Sequence, residues 1–247
     1  MIDKQVPTAA EALADVRDGA TILTGGFGRA GQPVELIEAL IDHGARDLTI
    51  VNNNAGNGDT GLAALLAARR VRRIICSFPR QHDSWVFDGL YRAGDIELEL
   101  VPQGTLAERL RAAGAGIGAF YSPTGVGTAL AEGRETRTID GREHVLEHPI
   151  RGDVALISAL HADRWGNLVY RETARNFGPV MATAARTVVA QVDSMVPLGA
   201  IDPETVVTPG LYVDRVVAVG ERRWLRDGEF VGGVSVEGDP LATEGAR

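Results

Sequence analysis

A short apolar segment that runs directly into a glycine-dense turn is the feature that most constrains this chain. Residues 21–24 have the composition of a strand, and Pro33 is suited to open a helix. The turn between them contains Gly25, Gly26, Gly28 and Gly31. Glycine permits backbone conformations closed to other residues and lets a ligand approach bare N–H groups, while a helix start adds unpaired N–H donors. The turn therefore predicts a site for negative charge, either a phosphate or a developing oxyanion.

The same turn allows two other interpretations. Residues 26–31 match the pattern G-x-G-x-x-G, but the dinucleotide fingerprint also requires an acidic residue at the end of the next strand. Here the next predicted strand, 48–51, ends in Asn52, Asn53 and Asn54, so the sequence does not favour a nicotinamide or flavin site. The second alternative is a turn that only packs a strand against a helix.

Strand and helix patterns alternate along the chain. Helices are predicted at 9–16, 33–43, 61–68 and 106–112, and strands at 21–24, 48–51, 72–77, 97–101, 116–121, 154–159, 187–192 and 215–219. This alternation predicts an α/β fold with a mostly parallel sheet flanked by helices. Asp140 and Gly141 lie between two further strand-like segments, 134–139 and 142–147, and predict a β-hairpin excursion from that sheet.

Composition limits the classes of function. A chain of 247 residues with 45% apolar content suits one α/β domain or two small ones. The formal charge of −8 argues against a nucleic-acid or membrane-surface role. Cys76 is the single cysteine, which excludes an internal disulfide framework and fits a reducing compartment. Because neither a signal-like start nor an apolar run of membrane length is evident, we expect a cytoplasmic protein.

Three predicted loops fall at the carboxyl ends of strands, where open parallel sheets bind ligands. They cover residues 25–31, 52–58 and 102–105, and they contain Asn53, Asn54 and Gln103 directly after apolar strands. An uncharged amide can donate to a carbonyl oxygen without first being deprotonated, which suits a site that stabilises an oxyanion. The alternative, equally weighted on the residues alone, is that these amides cap helices and tighten turns.

Four segments stand out along the chain: residues 18–33, Asn-Asn-Ala-Gly at 53–56, Val-Pro-Gln-Gly-Thr-Leu-Ala-Glu-Arg at 101–109, and Ala-Phe-Tyr-Ser-Pro-Thr-Gly at 119–125. Taken together, these segments resemble the alpha subunits of class I (3-oxoacid) CoA-transferases. Thr24 departs from the family pattern, which usually has an apolar residue there. The 3-oxoadipate branch of that family is the one that two further stretches look like. They are residues 54–58 and residues 76–81, and the second is followed by matching residues at 86–88 and 90–94. The resemblance covers the chain to about Gly220.

The resemblance implies a ping-pong transfer of CoA from succinyl-CoA to a 3-oxoacid, with CoA as substrate and no cofactor. A glutamate carboxylate attacks succinyl-CoA, giving a mixed anhydride and CoA thiolate; the thiolate returns to form a glutamyl-CoA thioester and releases succinate. The incoming 3-oxoacid reverses these steps. In the family this glutamate belongs to a beta subunit, and neither Glu132 nor Glu244 has the strand–turn context of a nucleophile. We therefore expect no catalytic nucleophile in this chain and a heterodimer or an α2β2 assembly.

The resemblance also assigns candidate site residues. It implies substrate or oxyanion binding at Gly25, Gly26, Phe27, Gly28, Gly31, Asn53, Asn54, Gln103 and Gly104. Arg80 and Gln81 are candidates for substrate specificity, because a guanidinium is the natural bidentate partner of the second carboxylate of a 3-oxo dicarboxylic acid. A solvated surface position is the alternative for Arg80. We expect a CoA-transferase domain over 1–220 and a loosely ordered polar tail over 221–247.

Other features carry weaker expectations. His144 and His148 fall on or beside a predicted strand, where their spacing does not suit a metal, and no metal site is predicted. A basic run at a predicted helix end could contact CoA phosphates, although a solvent-exposed position with a favourable helix-dipole interaction is the favoured interpretation. It consists of Arg69, Arg70, Arg72 and Arg73. Cys76 is expected to be a buried core thiol. The open functional alternatives are a CoA-transferase for another 3-oxoacid such as acetoacetate, a CoA-ester hydrolase of the same fold, and a non-catalytic CoA-ester binding module.

Overall fold

The computed structural model describes residues 2–220, and an eight-stranded sheet lies at their centre. The strands of this sheet are β1 (Thr21–Thr24), β2 (Leu48–Val51), β3 (Val71–Cys76), β4 (Glu97–Leu100), β8 (Gly152–Ala162), β9 (Leu168–Val169), β10 (Ala185–Met195) and β11 (Arg215–Ala218). A separate three-stranded sheet contains β5 (Phe120–Ser122), β6 (Thr136–Ile139) and β7 (Arg142–Glu147). The helices are α1 (Ala9–Ala12), α2 (Val34–His43), α3 (Leu62–Ala67), α4 (Trp85–Ala93), α5 (Gln103–Gly114) and α6 (Gly178–Ala184).

The strand order of the large sheet is β11-β10-β8-β1-β2-β3-β4, and every pair along this path is parallel. Only β9 is antiparallel, and it pairs with the end of β8. Strand β1 lies between β2, its successor in the chain, and β8, which comes more than a hundred residues later. The chain therefore leaves β1 on one side and returns on the other, and the carboxyl end of β1 is the switch point at which open α/β sheets form a ligand crevice.

Alternating side chains of the parallel strands enter two different cores. In β1, Ile22 packs on one face of the sheet and Leu23 on the other, and Ile50 and Val51 of β2 divide in the same way. The first face is covered by α1–α4 and the second by α5 and α6. Burial on both faces explains why these strands read as continuous apolar segments. The result is a three-layer arrangement of helices, sheet and helices.

The small sheet is the hairpin excursion that the sequence predicts. Strands β6 and β7 pair antiparallel, and Asp140 and Gly141 both have positive φ (50° and 75°), as a two-residue type I′ turn requires. Charged residues connect this sheet to the large one. Arg109 of α5 donates to the carbonyl of His148, just after β7, at 2.7 Å and to Glu99 of β4 at 2.7 Å. Glu147 at the end of β7 is 2% exposed and accepts two hydrogen bonds from Arg134.

The α/β architecture with a mostly parallel sheet is confirmed, as are the bounds of β1 and β2. Several local predictions differ from the structure. The first helix ends at Ala12 rather than at residue 16, α5 begins at Gln103 rather than at residue 106, and the apolar segment 116–121 contributes only β5 of the small sheet. Helices α4 and α6 are not among the predicted elements. The expected tail, 221–247, lies outside the described residues.

Candidate active site

The glycine turn lies in the crevice at the carboxyl end of β1. Gly26, Gly28 and Gly31 all have positive φ (125°, 61° and 72°). The turn therefore has the backbone conformations that the sequence predicts and that favour glycine. The turn closes on itself, because Phe27 N–H donates to the carbonyl of Ala30 at 3.0 Å and Ala30 N–H donates back at 3.2 Å. Phe27 presents a half-exposed ring (51%) at the tip.

Three N–H groups expected to face a ligand are engaged within the protein. Gly25 N–H donates to the carbonyl of Leu156 on β8, Gly26 N–H donates to Oδ1 of Asn176, and Phe27 N–H is held by Ala30. The first half of the turn is therefore fixed to its own framework and does not form an open cradle of donors. Gly28 lies at the tip, where no atom comes within 4 Å of an added Cβ position.

The three asparagines after β2 are buried and have separate contacts. Asn52 is fully buried and donates through Nδ2 to the carbonyl of Thr24 at 2.6 Å, which connects the end of β1 to the end of β2. Oδ1 of Asn52 accepts the N–H of Asn54, and Oδ1 of Asn54 accepts the N–H of Gly56. Nδ2 of Asn54 is buried without a hydrogen-bond partner. An unsatisfied buried donor is costly and calls for a functional or solvent partner.

Asn53 and Gln103 come together across the site. Gln103 Nε2 donates to Oδ1 of Asn53 at 2.7 Å, although the two residues are 50 positions apart in sequence. Asn53 is 2% exposed, and its carbonyl accepts the N–H groups of Ser77 and Phe78, so its backbone is fixed to the end of β3. Gln103 and Gly104 are the first two residues of α5, not loop residues as predicted. The helix N-terminus therefore faces the same edge as the amide pair.

Arg80 and Gln81 lie in the segment between β3 and α4, beside the site. Arg80 Nε donates to Oδ1 of Asp88 at 2.7 Å, and the Arg80 side chain is 54% exposed. Gln81 contacts the side chain of Asn57, which also donates to Asp83. Arg80 therefore combines one fixed carboxylate contact with an exposed guanidinium, and Gln81 stabilises the loop after β2.

The remaining candidates have structural contacts. Arg69, Arg72 and Arg73 pair with Asp95, Glu97 and Glu99 along the β4 side of the sheet, which is not the crevice. Burial raises the pKa of the Cys76 thiol to about 12, so this residue is a protonated core thiol at neutral pH. Within residues 2–220, no group of three or more histidine, cysteine or carboxylate side chains could hold a metal ion.

Two residues that support the glycine turn are absent from the sequence-based predictions. Asn176 contacts the turn from 150 residues away. Gln191 is fully buried on β10 and accepts the N–H of Leu36, which caps the helix that follows the turn. A polar residue inside an otherwise apolar strand was the available signal for Gln191. No local signal connects Asn176 to the turn, because the contact exists only in the folded chain.

Comparison with known proteins identifies the family. The family model described as coenzyme A transferase matches residues 6–219. This chain belongs to the coenzyme A transferase family. It is 65% identical over 219 residues to one subunit of the 3-oxoadipate CoA-transferase of Pseudomonas putida, covering 89% of this chain and 95% of that protein. It is 50% identical over 233 residues to one subunit of the succinyl-CoA:3-ketoacid coenzyme A transferase of Xanthomonas campestris, covering 92% and 96%.

Solved structures show the same fold as this coenzyme A transferase chain. The acyl-CoA transferase YdiF of Escherichia coli O157:H7, solved as a thioester complex with CoA, superposes with a TM-score of 0.79 at 26% identity. That match covers 87% of this chain and 49% of YdiF, so this chain spans about half of the YdiF chain. The decarboxylase AibA/AibB matches with a TM-score of 0.75 at 28% identity, covering 88% and 84%. No helix within residues 2–220 is both long and apolar enough to span a bilayer.

Proposed function

We propose that this chain is the alpha subunit of a two-subunit enzyme that moves CoA from succinyl-CoA to 3-oxoadipate. The observation that carries the proposal is the Asn53–Gln103 amide pair at the carboxyl edge of the sheet, in a chain 65% identical to a subunit of a 3-oxoadipate CoA-transferase. The relatives are each named as one subunit of their enzyme, which supports the need for a second chain.

The amide pair is suited to bind a developing oxyanion. One Nε2–H of Gln103 is used to hold Oδ1 of Asn53, which orients both amides. The second Nε2–H of Gln103 and the Nδ2 group of Asn53 then donate to the carbonyl oxygen of the acyl group as it gains charge. Because these donors are positioned before the reaction, they stabilise the tetrahedral states of the thioester and anhydride steps without reorganisation.

The nucleophile is proposed to come from the beta subunit. Its glutamate carboxylate attacks the succinyl carbonyl and expels CoA thiolate; the thiolate then attacks the anhydride at the glutamyl carbonyl and expels succinate. The 3-oxoadipate carboxylate repeats both steps in reverse and leaves as its CoA thioester. Glu132 does not suit this role, because it is an exposed residue that ends a short 3-10 helix.

The exposed guanidinium of Arg80 favours a dicarboxylic acceptor, since it can bind the distal carboxylate of 3-oxoadipate. The 50% identical succinyl-CoA:3-ketoacid relative supports acetoacetate as the second candidate acceptor. We propose the cytoplasm as the compartment, because the single cysteine is an unpaired thiol, as is usual in reducing surroundings.

The test is an assay of 3-oxoadipyl-CoA formation from succinyl-CoA and 3-oxoadipate. We expect no turnover by the chain alone, turnover after addition of a matching beta subunit, and a large loss of kcat for Gln103→Ala in the assembled enzyme. Gln5→Ala, an exposed glutamine beside β11, is the matched control and should retain wild-type kcat. Turnover by the chain alone would contradict the proposal. Turnover with acetoacetate but not with 3-oxoadipate would show that acetoacetate is the acceptor.

A further inference from the structure

We infer that Asn176 is a positioning residue that holds the glycine turn, residues 25–31, in its working shape. Asn176 lies between the 3-10 helix Glu172–Arg175 and α6. Its Oδ1 accepts the N–H of Gly26 at 3.1 Å, and its Nδ2 donates to the carbonyl of Ala30 at 2.9 Å. A single side chain therefore connects the entry of the turn to its exit.

The hydrogen-bonding capacity of this amide is filled. Oδ1 of Asn176 also accepts the N–H of Phe177 at 2.7 Å, and Nδ2 also donates to the carbonyl of Thr173 at 2.8 Å. A primary amide offers two donors on nitrogen and two acceptor lone pairs on oxygen, and all four are used. A carboxylate in this place could still accept the two N–H groups, but its other oxygen would face two carbonyl oxygens. Asparagine therefore suits this position, whereas aspartate, which has the same shape, would lose both donated hydrogen bonds.

Close packing of Gly31 against Ala174 and Asn176 is a second contact between the turn and the Asn176 segment. A Cβ added to Gly31 would lie 2.2 Å from the carbonyl oxygen of Ala174 and 3.0 Å from Nδ2 of Asn176. The segment 173–176 therefore contacts the backbone of the turn directly. Glu172, which immediately precedes this segment, has a φ of 46°, a conformation that non-glycine residues adopt at a cost. Strain of this kind persists where the surrounding contacts determine the backbone.

The consequence for catalysis follows from where the N–H groups point. Because Gly26 N–H is directed at Asn176, the position of the tip, Phe27 and Gly28, depends on that bond rather than on a bound ligand. Loss of Asn176 releases both Gly26 N–H and the Ala30 carbonyl, so the tip loses two of the bonds that fix its position after β1. This inference rests on the proposed function for its kinetic effect, but the structural effect does not depend on it.

The test compares Asn176→Asp with wild type in the assembled two-subunit enzyme. Asn167→Ala is the matched control, since Oδ1 of Asn167 holds Gly210 N–H at 2.8 Å and Nδ2 holds Asp163 at 2.8 Å, in another turn. We expect Asn176→Asp to lower kcat by at least about tenfold, as small misplacements of positioning groups do, with less change in the KM for succinyl-CoA. Asn167→Ala should keep a near-wild-type kcat.

Hydrogen–deuterium exchange supplies a readout apart from activity. Peptides covering residues 25–32 should lose protection in Asn176→Asp and keep it in Asn167→Ala, while peptides from β8 and β10 remain protected in both. If Asn176→Asp fails to fold, Gly31→Ala is the second variant, because it disturbs the contact between the turn and residues 174 and 176. It should give the same loss of exchange protection at residues 25–32. Unchanged protection at 25–32, or equal kcat losses in the Asn176 and Asn167 variants, would overturn the inference. Inactivity of the wild-type complex with both acceptors would instead contradict the proposed function and leave the exchange test intact.

Discussion

Gln103, the first residue of α5, donates its side-chain Nε2–H to Oδ1 of Asn53 at 2.7 Å, across the ends of two strands that are not neighbours. Strand β3 separates them, and the carbonyl of Asn53 is tied to that strand's end through Ser77 and Phe78. Each amide therefore has its orientation set by the protein. Preorganised donors of this kind are what acyl-transfer chemistry needs.

The first prediction concerns Gln103→Glu. A carboxylate removes the Nε2 donors and places negative charge where an oxyanion develops, so we expect kcat of the assembled enzyme to fall by about 100-fold or more. Steady-state kinetics with succinyl-CoA as the varied substrate would show the loss mainly in kcat. A variant that changed only KM would assign Gln103 to ground-state binding instead. Gln5→Glu, at an exposed position, controls for the added charge.

The second prediction separates two glycines of the same turn. Gly31→Ala would bring a Cβ within 2.2 Å of the Ala174 carbonyl, and we expect it to lower the free energy of unfolding by about 2–4 kcal/mol. Gly28→Ala meets open space and bears only the cost of a left-handed φ, about 1–2 kcal/mol. Urea unfolding of both variants gives the comparison. Equal losses would contradict the close contact between Gly31 and Ala174.

The third prediction concerns acid stability. Burial would raise the pKa of Glu99, but the hydrogen bond and charge of Arg109, with the charge of Arg73, hold that pKa below its ordinary value of 4.5. The folded state therefore binds fewer protons at Glu99 than the unfolded state. The stability from this group is fully present above pH 4.5 and is lost as the pH falls through the lower folded pKa.

The measurement for Glu99 is the free energy of unfolding at neutral pH and again below pH 4.5. Glu99→Gln should be less stable than wild type at neutral pH, and the difference should shrink as the solution is acidified. Glu97→Gln is the matched control, because Glu97 pairs with Arg72 at an exposed position on the same strand. A difference that stayed constant across this pH range would show that folding does not lower the pKa of Glu99.

The fourth prediction concerns Cys76. Its side chain is buried and its pKa is raised to about 12, so the reactive thiolate is scarce and inaccessible in the folded protein. Ellman's reagent at mildly alkaline pH should leave the folded chain unlabelled and titrate one thiol per chain in guanidinium chloride. Rapid labelling of the folded chain would contradict the buried position.

The parallel core was predictable because its signals are local. Residues 21–24 and 48–51 are largely apolar segments, the first followed by glycine and the second by asparagine, and both strands have the predicted bounds. The hairpin turn at Asp140 and Gly141 needs two positive φ angles, which this pair adopts readily. The amide positions Asn53 and Gln103 were also predictable, since both follow strands at the same edge of a parallel sheet.

Other features could not be read locally. Gln103, Gly104 and Thr105 look like turn residues, yet they form the first turn of α5 after Pro102, because that helix packs its apolar face on the sheet. Residues near 116–121 are apolar enough for a parallel strand, but antiparallel partners in β7 recruit only Phe120–Ser122. The engagement of Gly26 N–H by Asn176 depends on the folded arrangement of distant segments.

The central position of β1 has a consequence for how the protein is made. Thr21 N–H is held by Asp153, 132 residues further along the chain, and β1 cannot pair on its second side until β8 has been synthesised. The glycine turn thus leaves the ribosome early but acquires its framework late. A nascent chain that stops short of Asn176 carries the glycines without the side chain that connects the two ends of their turn, so the turn takes its final shape only after most of this chain has been translated.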